Sequence, residues 1–251
     1  MSTSSQEHAI EALPPLHQQP DARAMRVNAD FSQRIVVQPR AEDWVASPQP
    51  GVTRLMLDRV GAEVARATSL VRYAPRSTFP AHTHGGGEEI LVLEGTFSDE
   101  FGDHPSGTYF RNPPGTSHAP RTEEGCLLFV KLWQFAPGDT ATVRIETGGA
   151  AWLPGSAPGL EVMPLHEHEG VSTALVRWAP GTQFPAHTHP GGEEILVLEG
   201  TLEDEEGAYP AGTWLRNPRF SRHAPFSREG ALIYVKVGHL GAPTLGDAIT
   251  A

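Results

Sequence analysis

The segment FPAHTHGGGEEILVLEGT, from Phe79 to Thr96, recurs as FPAHTHPGGEEILVLEGT, from Phe184 to Thr201, with Gly85 replaced by Pro190 as the single change. No register slip interrupts the repeat for some distance on either side. Gly107 and Gly212, and His118 and His223, keep the spacing of 105 that separates His82 from His187, and twenty of the twenty-five positions from Val71 to Gly95 match Val176 to Gly200. Upstream, PGVTRLML (from Pro50) faces PGLEVMPL (from Pro158), and Trp44 faces Trp152, at a spacing of 108; a loop between Asp58 and Val71 is therefore three residues longer in the first copy. Such self-similarity over about a hundred residues marks a duplicated domain. It predicts a loosely docked or disordered arm over 1–24, a first domain over 25–145 and a second over 146–251.

Within each copy the pattern is that of strands. SLVRYAP, EEILVLEG, GTYFRNP and CLLFVKLW are short, rich in Val, Leu, Ile and aromatic residues, and punctuated by Gly, Pro, Asn and Asp. Helical signatures are almost absent, and 26 Gly and 23 Pro fit an all-β sandwich or barrel. The short stretch DFSQRIVVQP, from Asp30 to Pro39, is expected to cover a sheet edge or to cross to the other domain.

Composition narrows the function classes. A formal net charge of -11 with no Lys/Arg cluster disfavours nucleic acid and anionic membranes, and leaves a small-molecule or metal ligand. The single cysteine, Cys126, excludes disulfides and multi-thiolate metal sites. It reads as a small strand residue. Neither an apolar span nor a signal-like leader is evident, so the cytoplasm is the expected compartment.

The repeated phrase also carries chemistry. Residues two apart on a strand share a face, so His82 and His84 project together; the glycines after them, with no packing purpose evident from the sequence, let the chain turn and return Glu88 as an oxygen ligand. His118 is the downstream histidine that recurs at the same spacing, because His104 faces Tyr209. The expected metal ligands are His82, His84, Glu88 and His118 in one copy and His187, His189, Glu193 and His223 in the other. The competing reading, duplicated structural histidines, does not account for the paired Glu and glycines. Three imidazoles and a carboxylate suit Zn, Fe or Mn, with Ni and Cu also compatible, up to one ion per domain. No organic cofactor and no separate catalytic residue are assigned.

These residues resemble the cupins. HTHGGGE with Gly95 fits the first cupin motif, and GTYFRNPPGTSH fits the second through Gly107, Pro113, Gly115 and His118; the wording is most similar to the ChrR-like cupins and also to the acetylacetone-cleaving dioxygenases. The resemblance implies two tandem cupin domains, each a double-stranded β-helix or jelly roll with the metal inside, forming a bicupin. Each copy departs from the motifs once. Arg76 stands where Gly181 keeps a motif glycine, and Phe220 stands where Gly115 keeps another, so a ring at Phe220 is expected to narrow the second site. Thr122 and Ser227 replace the family's usual asparagine after the last histidine.

The implied function is a small-molecule non-haem metal enzyme such as a dioxygenase; the alternative is a ChrR-like metal-binding sensor without catalysis. The short, cysteine-free arm disfavours a direct anti-sigma role, and intact ligands disfavour storage. A further homo-oligomer stays open. Among the remaining residues, Glu89 and Glu194 read as partners of the ligands or as surface residues, and strand alternation favours the surface. His166 and His168 are expected to form a solvated strand end, and Tyr73, Trp178, Tyr109 and Trp214 to pack in cores, with pocket lining the alternative. Arg111 and Arg216 read equally as a carboxylate clamp or a surface ion pair.

Overall fold

A computed structural model describes residues 25–242 and 244–247; the arm expected over 1–24 lies outside them. Almost every described element is a strand, and the two helical segments, Ala41–Asp43 and Thr147–Gly149, are single 3-10 turns. The four expected segments form Ala65–Tyr73, Glu88–Asp99, Thr108–Asn112 and Cys126–Leu132.

The first large sheet runs Arg26–Val27, Val52–Gly61, Ala65–Tyr73, Cys126–Leu132, Glu88–Asp99, Thr108–Asn112 and Val143–Glu146. The second begins with Leu153–Pro154, the counterpart of Val45–Ala46, which pairs on the same strand in the first sheet, and then repeats the order as Leu160–His168, Val171–Trp178, Ala231–Val237, Glu193–Asp204, Trp214–Asn217 and Ile35–Val37. The last strand of each comes from the leader of the other repeat. Ile35 pairs with Arg216 in the second sheet, and Val143, its counterpart at the spacing of 108, pairs with Arg111 in the first. Crossing of the segment after Asp30 is therefore present, and it is reciprocal.

Alternation then sorts side chains into three cores. On Glu88–Asp99, Ile90 and Val92 point into the first barrel with Tyr73, Phe97 and Leu128, while Leu91 points out. The second barrel is filled equivalently by Ile195, Val197, Trp178 and Ile233. The outward residues of both sheets share one core, in which Leu55, Leu57, Leu91, Tyr109 and Phe129 meet Met163, Leu165, Leu196, Trp214 and Tyr234. The expected core aromatics, Tyr73, Trp178, Tyr109 and Trp214, are all buried, as is Cys126.

This shared core overturns the placement of Glu89 and Glu194. Both do turn away from the barrel interior, but the face they reach is covered by the other sheet, and they are 3% and 1% exposed. Glu89 accepts hydrogen bonds from Tyr234 and Lys236; Glu194 accepts them from Lys131 at 2.6 Å, Trp214 Nε1 at 2.8 Å and His239 at 3.0 Å. Lys131 and Lys236 are themselves repeat counterparts, so the ion pairs cross between barrels in both directions. Burial pushes the Glu89 carboxyl up, but the charges of Lys236, Arg111 and Lys131 outweigh it and hold it down at about 2. Arg111 and Arg216 are buried here too, paired with Asp139 at 2.7 Å and Asp58 at 3.2 Å, so neither forms a surface pair. His166 is not solvated either: its Nε2 lies 3.0 Å from Asp139 and its side chain is 11% exposed. Neighbouring His168 is half-buried.

Candidate metal centres

Two short antiparallel pairs carry the histidines. His82–Thr83 pairs with Ser117–His118 so that His82 stands opposite His118, and His187–His189 pairs with Ser221–His223 so that His187 stands opposite His223. Glu88 and Glu193 begin the long central strands directly after glycines in the left-handed region, Gly87 at φ 80° and Gly192 at φ 74°. All eight expected residues are thereby gathered into two groups of four, with ligand atoms within 4.8 Å of one another in each.

In the first group, Glu88 Oε2 lies 3.2 Å from His84 Nε2 and 3.3 Å from His118 Nε2. In the second, Glu193 Oε2 lies 3.5 Å from His189 Nε2 and 3.4 Å from His223 Nε2, and the two Nε2 atoms are 3.0 Å apart. Donors bound to one ion at about 2.0–2.2 Å sit about 3.0–3.5 Å from each other, so these spacings fit a divalent cation. His84 Nε2 and His118 Nε2 are also buried without a hydrogen-bond partner, which the first barrel tolerates if an ion satisfies them.

The outer atoms fix which nitrogen is free. His82 Nδ1 lies 3.0 Å from the Pro80 carbonyl, which can only accept, so the proton sits on Nδ1 and the Nε2 lone pair faces inward. Thr116 donates its own proton to Pro113 at 2.6 Å and therefore accepts from His84 Nδ1 at 3.0 Å. His118 Nδ1 donates to Asp99 at 3.3 Å. The carboxylate is oriented as well: Asn112 donates to Glu88 at 3.2 Å, and Asn217 donates to Glu193 at 2.9 Å. Burial raises the Glu88 carboxyl, but the close approach of His84, and then of His118 and His82, outweighs it and brings it to about 2, while burial lowers His82. A metal requires the carboxylate ionised and the ligating imidazole nitrogens free of protons, so ion binding here would compete with protons and weaken as pH falls.

The outer partners Asp99 and Asp204, Asn112 and Asn217, and Thr116 and Ser221 were not singled out in the sequence, although all recur at the spacing of 105. That recurrence was the available signal. Where the repeats differ, different side chains do the same work. His104 binds Asp99 at 3.1 Å, and Tyr209 in its place binds Asp204 at 2.6 Å. Each asparagine oxygen accepts from an arginine of the crossing segment: Asn112 from Arg144, and Asn217 from Arg34 at 2.9 Å. The centres are not identical, because Ser221 Oγ, unlike Thr116 Oγ1, is buried without a partner. Thr122 and Ser227 instead tie neighbouring strands, donating to Thr96 and Thr201 at 2.7 Å.

The expectation that Phe220 narrows the second site is wrong. Its ring is 66% exposed, and its backbone keeps the left-handed conformation of Gly115, φ 62° against 86°. Both amides donate to the carbonyl of the second ligand histidine, Gly115 to His84 at 2.9 Å and Phe220 to His189 at 2.7 Å. The turn survives because the side chain points to water.

The glycines after the ligands do have a packing purpose. A Cβ at Gly85 or Gly86 would stand 2.7 Å or 2.3 Å from the Trp133 ring, whereas the counterpart of Trp133 is Gly238, which leaves room for Pro190. Trp133 also lines a cavity of about 650 Å³ onto which His82, His84, Glu88 and His118 open, walled by apolar side chains that include Val71, Ile90 and Leu128.

Comparison with known proteins agrees with this architecture. A candidate dioxygenase from Nostoc punctiforme superposes with a TM-score of 0.68 over 84% of this chain and 85% of that one, at 15% identity. A candidate glyoxylate-induced protein from Pseudomonas aeruginosa gives 0.66 over 93% and 96%, at 17% identity, and an oxalate decarboxylase from Bacillus subtilis gives 0.53 over 81% and 77%, at 15% identity. At such identities the likeness is one of fold. Germin-like protein 1-1 of Oryza sativa subsp. japonica is 49% identical over 49 residues, and a germin-like protein of Arabidopsis thaliana is 52% identical over 46. The chain spans only about a fifth of the length of these curated relatives, 20% and 18%. The fold is that of a bicupin, two cupin jelly rolls in one chain. Matched over residues 32–136 and again over 140–241, the chain belongs to the ChrR Cupin-like domain family.

Proposed function

We propose that the chain is a non-haem metal-dependent enzyme of the oxygenase type, acting on a small organic molecule in the first barrel. In this reading His82, His84, Glu88 and His118 hold the working ion, and His187, His189, Glu193 and His223 hold a second. The observation that carries it is the cavity of about 650 Å³ reaching the first cluster. A buried four-ligand site with no access would be structural; one that opens on an apolar chamber has room for a substrate beside the ion.

A redox-active divalent ion such as Fe(II) or Mn(II) would supply Lewis acidity and dioxygen chemistry there, since four protein ligands leave two octahedral positions. The protein's own part is to keep Glu88 ionised and oriented through Asn112, to point three Nε2 lone pairs inward, and to shield the reacting molecule from water. Zinc in tetrahedral geometry would leave no open position.

The alternative is a metal-binding sensor without turnover, which the ChrR family relationship supports. Metal analysis of chain purified without added metal, followed by anaerobic Fe(II) loading and oxygen-uptake assays with small diketones, separates the two. We expect oxygen uptake that falls at least about 100-fold in His84→Ala and persists in His187→Ala. Two zinc ions per chain with no uptake under any loading overturns the enzyme.

A further inference from the structure

The first barrel carries a positive charge pair that the second lacks. On the strand Val52–Gly61, Val52 and Arg54 face the interior while Leu55 and Leu57 face the shared core between barrels. Simple alternation would then turn Asp58 inward and Arg59 outward. A bulge between Met56 and Asp58 resets the register, so Asp58 reaches Arg216 across the interface and Arg59 turns into the barrel. Arg54 and Arg59 accordingly line the same cavity as His84 and Glu88.

Neither guanidinium is satisfied there. Arg59 is 3% exposed; it donates to the Ala62 carbonyl through Nη2, but its Nε is buried without a partner. Arg54 Nε is likewise buried without a partner, and its Nη2 reaches only Glu63, 3.3 Å away, whose side chain is 53% exposed at the rim. Burial, and then the like charge of Arg54, pull the Arg59 pKa down. A pair of half-satisfied guanidiniums facing a chamber is unfavourable unless an anion completes it.

The second repeat keeps the bulge, between Pro164 and His166, but has neither the charge pair nor the longer hairpin. Val162 and Glu167 stand at the positions of Arg54 and Arg59, and the hairpin is shorter by the three residues that supply Ala62 and Glu63 to the first. The charge pair and the extra loop residues therefore go together, in the barrel whose centre opens on the cavity.

We infer that the first barrel selects a small organic carboxylate, with Arg54 and Arg59 receiving the carboxylate, the apolar body resting on Val71, Ile90 and Leu128, and the oxygen-bearing end directed at the histidine cluster. This rests on the enzyme reading above and names its substrate class. Arg54 and Arg59 act as specificity-determining residues, since two charge-assisted donors discriminate strongly against a neutral isostere. Glu63 occupies Arg54 until the ligand displaces it.

Benzoylpyruvate and benzoylacetone share the aryl diketone and differ in the carboxylate, which makes them suitable probes. Calorimetric titration of the full chain, both zinc-loaded and metal-stripped, should show benzoylpyruvate binding at least about tenfold tighter than benzoylacetone. Arg54→Met and Arg59→Met should abolish that preference with metal content unchanged, and Glu63→Gln should keep or enlarge it. If Arg59→Met fails to fold, the half-buried Arg54→Met and the rim variant Glu63→Gln still decide the matter. Equal binding of the two probes, a preference that survives in Arg54→Met, or binding of inorganic phosphate in place of the carboxylate overturns the inference. Should metal analysis find no ion, the enzyme reading falls, while an Arg-dependent preference in the metal-stripped chain still supports the anion site. Metal binding with oxygen uptake on benzoylacetone alone leaves the enzyme reading standing and sinks the carboxylate.

Discussion

Gly85 and Pro190 occupy the same turn, and the residue packed against that turn explains the exchange. In the first barrel Trp133, itself at φ 59°, packs its ring on Gly85 and Gly86; in the second, Gly238 puts no ring over Pro190, although its backbone still crowds Gly191. Trp133 is thus a bulky residue in the left-handed region, a conformation that costs it energy, and its ring forms one wall of the cavity. Gly86→Ala would place a methyl 2.3 Å from the indole. Because the ring is wedged between turn and cavity, we expect a loss of about 1–3 kcal/mol in urea unfolding, with Trp133 fluorescence shifted by its displacement. Phe220 teaches the opposite lesson: a missing motif glycine was legible in the sequence, but its harmlessness depends on a ring that points to solvent.

At the level of elements, the crossing strands are what complete each centre. Arg144 precedes the second barrel in sequence and orients Asn112 of the first; Arg34 precedes the first barrel and orients Asn217 of the second. Each asparagine in turn binds the cluster glutamate, so in the proposed metal centres the arginines would act on the ion at one remove. Removing such an outer partner typically weakens metal binding about 10–100-fold. Arg144→Met should therefore lower metal affinity in the first centre alone, and Arg34→Met in the second alone, when chelator competition is followed in chains carrying one intact cluster. The strands themselves and their HxH pairs were readable from period and spacing. Their exchange between sheets was only one of two open readings for the segment after Asp30, because an edge strand's sequence does not name its partner.

Across the whole molecule, the two sheets bury a common core with ionised groups inside it. Glu89 and Lys236, and Glu194 and Lys131, join opposite barrels and are each 3% exposed or less. Removing one member leaves a buried charge without its nearest counter-charge, so Glu89→Leu or Lys236→Met alone should cost about 3–5 kcal/mol, the lysine variant less because Tyr234 and Arg111 still face Glu89, whereas the double variant should recover most of it, as a double-mutant cycle by urea unfolding would measure. Equal and additive losses would show that the pair is not coupled. The sequence by itself determined the duplication, the all-β class and the eight clustered side chains, because these follow from a constant spacing, a period of two and a turn that glycine favours. Only the tertiary structure decided where the outward faces go. Alternation states that Glu89 and Arg111 leave the barrel interior, but whether they meet water or another sheet depends on how two barrels pack. For the same reason, the bulge that turns Arg59 inward and the Trp133 that walls the cavity emerge only once distant segments are brought together.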